Sequence, residues 1–113
     1  MATTASRTVL ITGASRGIGE KSALRFASSG ARLVLVARGR EALDDVARRC
    51  RIAGAPDVLA LPADIGDTDA VHELFDTALA HFGHLDVVVQ NASVAAFGRF
   101  TDCLLYTSDA ADE

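Results

Sequence analysis

Apolar residues follow two alternating rhythms along this chain. Four short runs are almost continuously apolar and rich in β-branched side chains: TVLIT (8–12), RLVLVA (32–37), VLALP (58–62) and LDVVV (85–89). Such runs predict strands buried on both faces. The segments between them repeat at helical spacing instead. One helix is predicted from about Gly17 to Ser28, with Gly30 as its left-handed C-terminal cap. A second starts near Arg40 and sets Leu43, Val46, Ala47 and Cys50 on one stripe before Gly54 and Pro56 end it. In the third, Asp67 is the expected cap, and Val71, Leu74, Phe75, Ala78, Leu79 and Phe82 form an unbroken apolar face closed by Gly83. The order βαβαβαβ predicts an α/β fold with a parallel sheet covered on both sides. Right-handed crossovers make it doubly wound, with strand order 3-2-1-4.

Composition narrows the class. The chain has 113 residues, half of them apolar and 23% charged, which suits one small globular domain. Its apolar runs are too short to span a bilayer, and its first residues lack the pattern of a signal peptide, so a cytoplasmic protein with no membrane partner is expected. A formal net charge of −4, without basic clusters interleaved with aromatics, argues against nucleic acid. Arg48, Arg49 and Arg51 are read as a solvated helix face. Cys50 and Cys103 share no metal-ligand spacing. His72, His81 and His84 are read as surface positions around the third helix, and no metal site is expected. Asp67 and Asp69 read as a cap and a first-turn charge rather than a catalytic pair.

The chemistry lies in ITGASRGIGE (11–20), between the first strand and the first helix. Gly13 permits the turn out of the strand, Gly17 lets backbone approach a diphosphate, and Gly19 allows close packing of the helix. The helix N-terminus offers amides and a positive dipole end to an anion. A triphosphate-binding loop would need lysine directly after the last glycine; here Glu20 precedes Lys21.

Thr12-Gly13-Ala14-Ser15-Arg16-Gly17-Ile18-Gly19 reproduces the TGxxxGxG signature, and the chain resembles the classical short-chain dehydrogenase/reductase family over residues 7 to 102. Asp64-Ile65 after the third strand resembles that family's adenine-contacting segment, and Asn91-Ala92 resembles its NNAG segment. Here the latter reads Gln90-Asn91-Ala92-Ser93, departing at its first and last positions. The resemblance implies a partial Rossmann-type domain over residues 1–102. It also implies cofactor-binding roles for Thr12, Gly13, Ser15, Arg16, Gly17, Ile18, Gly19, Arg38, Asp64, Ile65, Asn91 and Ala92. The whole protein is then expected to be a homo-oligomer acting on a small-molecule alcohol or carbonyl.

The end of the second strand selects the cofactor. An acid there would accept hydrogen bonds from the adenosine 2′-hydroxyl of NAD. This chain has Ala37 and then Arg38, whose guanidinium suits a 2′-phosphate, with Arg16 as a second cation. NADP is therefore expected over NAD.

Catalysis in the resembled family needs a Ser and a Tyr and Lys four apart, and no such pair follows Asn91. Tyr106 is followed four places later by Ala110. Residues 103–113 resemble a translated sequencing-library transposase adaptor: TGT CTC TTA TAC ACA TCT GAC GCT GCC GAC encodes Cys103 through Asp112. A processing artefact is expected there. Without its acids Asp109, Asp112 and Glu113 the formal net charge moves from −4 to −1. The expectation is an NADP-dependent oxidoreductase whose catalytic residues lie outside this inactive stretch. The alternatives are a non-catalytic NADP-binding sensor and a small domain that only binds nucleotide.

Overall fold

A computed structural model describes residues 7–91 of the chain. Seven elements alternate: β1 (Thr8–Thr12), α1 (Gly17–Ser28), β2 (Arg32–Ala37), α2 (Arg40–Ala53), β3 (Val58–Pro62), α3 (Thr68–Phe82) and β4 (Val87–Val89). Their four strands form one parallel sheet in the order β3-β2-β1-β4. This is the predicted doubly wound architecture.

The alternation of side chains along each strand divides the core in two. Val9, Ile11, Leu33, Leu35, Ala37 and Val58 face α1 and α2, meeting Ala23 and Ala27 of the first helix and Leu43, Val46, Ala47 and Cys50 of the second. Leu10, Val34, Val36 and Val88 face the other way, against Val71, Leu74 and Ala78 of α3. The split follows from chain direction. Strands are added one way from β1 to β3, and the return to β4 reverses that direction, so a crossover of constant hand places α3 on the opposite face. Each fully buried Leu, Ile or Val stabilises the fold by about 1.5–3 kcal/mol relative to exposure.

The helix ends carry the expected chemistry. Asp67 accepts hydrogen bonds from the amides of Asp69 and Ala70 and so caps α3. At the end of α1, the Gly30 amide donates to Ala27 O and the Ala31 amide to Phe26 O, with Gly30 at φ +88°. That pair of bonds is a Schellman motif, satisfying carbonyls the helix leaves unpaired. Pro62 sits at the end of an edge strand, where its missing amide costs no ladder bond.

Three expectations are corrected. The last strand begins at Val87 rather than Leu85, because Asp86 uses its side chain as well as its backbone: Oδ2 accepts the Thr8 amide at 2.8 Å, and the Asp86 amide donates to Thr8 O. The apolar face of α3 is broken at Leu79, which is 44% exposed, while Phe75 and Phe82 are only half-buried. α3 lies alone on its face of the described sheet, so no neighbouring helix covers its flank. The arginines of α2 are not merely solvated. Arg49 bridges Glu20 of α1 and Asp45, and Arg51 donates to Val58 O at 3.0 Å. Hydrogen bonding to Glu20, the main cause, raises the Arg49 guanidinium above its ordinary value. Burial pushes the Cys50 thiol up to about 11, so this side chain acts as a small apolar group.

Candidate functional site

An open cleft of about 700 Å³ runs across the C-terminal ends of β1, β2 and β3. It reaches the point between β1 and β4 where the strand order changes direction, which is where open α/β sheets receive ligands. The turn from β1 to α1 forms one wall, with Gly13, Ser15, Arg16, Ile18 and Gly19 at its surface. Arg38 lies at the exit of β2, Asp64 and Ile65 at the exit of β3, and Asn91 at the exit of β4. Four separate stretches of the sequence thus converge on one cavity.

Glycine geometry shapes the wall. Gly13 takes φ +62°, and a Cβ there would stand 3.0 Å from Asn91 O, so the turn and the end of β4 approach through it. A Cβ on Gly19 would stand 2.0 Å from Gly13 O. The close packing expected at Gly19 is therefore made against the turn itself. Gly17, also at φ +62°, has open space where a side chain would be. Arg16 occupies the N-cap of α1 without a side-chain capping bond. The start of α1 is therefore not capped by its N-cap side chain, an arrangement suited to an anion.

Further hydrogen bonds hold the cleft open in one shape. The Ala14 amide donates to Val36 O at 3.1 Å, pinning the turn to β2. Thr12 is buried beneath the turn; its Oγ1 accepts the Asn91 amide at 3.0 Å, and Asn91 Nδ2 donates to Thr12 O at 3.4 Å. Asp64 Oδ1 accepts the Gly66 amide at 2.9 Å, which orients the carboxylate at the cleft's far wall. Arg16 and Arg38 are exposed, and neither has an ion-pair partner among the described residues. The cleft thus carries two uncommitted guanidinium groups on one side and a single carboxylate on the other.

Two of the expected residues serve the site indirectly. Thr12 supports Asn91 from below, and Gly17 leaves space without forming the wall. Ala92 and residues 103–113 lie outside the described residues. Val36, Ala37, Gly39, Ala63 and Gly66 also line the cleft and were not anticipated. The available signal was their position at the C-terminal ends of β2 and β3, where a parallel sheet opens toward its ligand.

Known proteins share this fold and sequence pattern. The family model for short chain dehydrogenase matches residues 7–110. The chain is 41% identical over 97 residues to versicolorin reductase stcU of Emericella nidulans, covering 85% of this chain and 36% of that protein. A metagenomic short-chain oxidoreductase solved in complex with NADP superposes with a TM-score of 0.74 at 39% identity, over 79% of this chain and 40% of that one. An NAD+-bound xylitol dehydrogenase superposes with a TM-score of 0.71 at 30% identity, over 74% of this chain and 32% of that one. The chain spans about a third of the length of its curated relative. With its glycine turn, sheet order and family match in agreement, the chain belongs to the short-chain dehydrogenase family.

Proposed function

We propose that this chain is the NADP-binding portion of an oxidoreductase that interconverts a small-molecule alcohol and carbonyl. The observation that carries this reading is the pair Arg16 and Arg38, both on the cleft and both without an ion-pair partner among the described residues. The residues present fit a dinucleotide. Space at Gly17 and the first amides of α1 suit a diphosphate, the Asp64-Ile65 wall suits the adenine end, and Asn91 supports the ribose region. Arg38, at the exit of β2, suits a 2′-phosphate, with Arg16 as the second charge. No acid stands at the β2 exit to favour an unphosphorylated ribose, since Ala37, Arg38 and Gly39 occupy it.

The nicotinamide supplies hydride exchange at its C4 carbon when bound. The chain's own residues bind and orient: the turn holds the phosphates, and Thr12 through Asn91 fixes the end of β4 beside them. Proton transfer to a carbonyl oxygen needs a donor, and the chain's single tyrosine, Tyr106, is followed four places later by Ala110 rather than Lys, so these 113 residues are expected to bind without turnover. The whole protein is proposed to act in the cytoplasm as a homo-oligomer.

Titrating the full-length protein with NADPH and NADH tests the reading. NADPH is expected to bind more tightly, and Arg38→Ala to weaken NADPH by about 10–100-fold while leaving NADH little changed, as expected for loss of charge-assisted bonds. A clear preference for NADH, or equal loss for both cofactors, overturns it.

A further inference from the structure

An acid at the start of α1 is paired with a residue of a different helix. Glu20 stands in the first turn of α1. A carboxylate there is attracted by the positive end of the helix, as a bound diphosphate would be, and the two compete for it. Glu20 is not left free to do so. Its Oε2 accepts a hydrogen bond from Arg49 Nη2 of α2 at 2.5 Å, and the Arg49 Nε donates to Asp45 at 3.1 Å. Asp45 also pairs with Arg48. Two carboxylates and two guanidinium groups thus form a neutral chain across the α1–α2 contact. Its innermost pair is partly shielded, with side-chain exposures of 38% for Arg49 and 26% for Glu20. Neither Arg49 nor Glu20 lines the cleft.

We propose that Arg49 is a positioning residue for cofactor binding, drawing the Glu20 carboxylate toward α2 and cancelling its charge so that the N-terminus of α1 remains attractive to the cofactor's diphosphate. The inference rests on the nucleotide reading above and adds a determinant of affinity outside the binding wall. It differs from a mechanical clamp between helices, because a clamp needs both partners whereas charge cancellation is needed only while Glu20 is charged.

Dissociation constants for NADPH, measured on the full-length protein with Arg49→Met, Glu20→Gln and the double variant, separate the two. Arg49→Met is expected to weaken binding by about two- to fivefold at low salt, the range for one charge at a helix end, with the loss shrinking at high salt. Glu20→Gln is expected to tighten binding by about twofold, and the double variant to return to within about twofold of the parent. Unchanged affinity in Arg49→Met, or a loss that Glu20→Gln fails to restore, overturns the proposal. Should Arg49→Met not fold, as read by circular dichroism, Arg49→Gln, which keeps a donor for Glu20 but not the charge, takes its place: weaker binding at low salt supports charge cancellation, and unchanged binding refutes it. A parent protein that binds neither NADPH nor NADH instead removes the nucleotide reading itself.

Discussion

Gly19 and Gly17 lie two positions apart and answer to different constraints. At Gly19 an added methyl group meets the Gly13 carbonyl oxygen at 2.0 Å, a backbone atom that no side-chain rotation moves away. Gly19→Ala is therefore expected to cost about 2–4 kcal/mol, from overpacking against a fixed backbone. At Gly17 the space is free and only the positive φ resists a side chain. Gly17→Ala is expected to cost about 1–2 kcal/mol. Denaturant unfolding of the full-length protein checks the order of the two; equal losses would contradict the contact at Gly19. The glycine turn was legible in the sequence because glycine at these places has few substitutes. Val36, Ala37 and Ala63 were not legible as cleft residues, since an apolar residue at a strand end reads the same as one in the core.

At the scale of elements, local signals and tertiary contacts divide the work. α3 begins where Asp67 caps it, and the bonds to Asp69 and Ala70 make that start a local matter. Asp67→Ala is expected to destabilise by about 1 kcal/mol, measured as a fall in the unfolding midpoint without change in the denaturant slope. The bounds of the helices were readable because caps and stripes lie within a few residues of each other. The start of β4 was not, because it depends on Thr8, far away in sequence, whose amide is taken by the Asp86 side chain. Likewise the exposure of Leu79 and the bridge from Arg49 to Glu20 depend on which helices lie side by side, which periodicity within one helix does not encode.

For the whole molecule, the sheet presents an edge. Among the described residues β4 pairs only with β1, and its three residues are all valine. A short apolar strand without a second neighbour invites pairing with other chains. The 113-residue chain expressed alone is expected to aggregate or to melt without cooperativity; a soluble monomer with a sharp unfolding transition would refute this. No helix among the described residues is long and apolar enough to cross a membrane.

The valines of β4 also raise a question of alignment. Three identical side chains facing Val9, Leu10 and Ile11 offer little to distinguish one sliding position from the next. The polar residues at either end supply what the valines lack: Asp86 grips Thr8 at the start, and Asn91 grips Thr12 at the finish. They act as two stops on a ruler, one at each end of β1. A slip of one residue would carry Asn91 about 3.3 Å along the sheet. The glycine turn and the end of β4 are thus kept in step by side-chain bonds at both ends of β1, in addition to the packing between the strands.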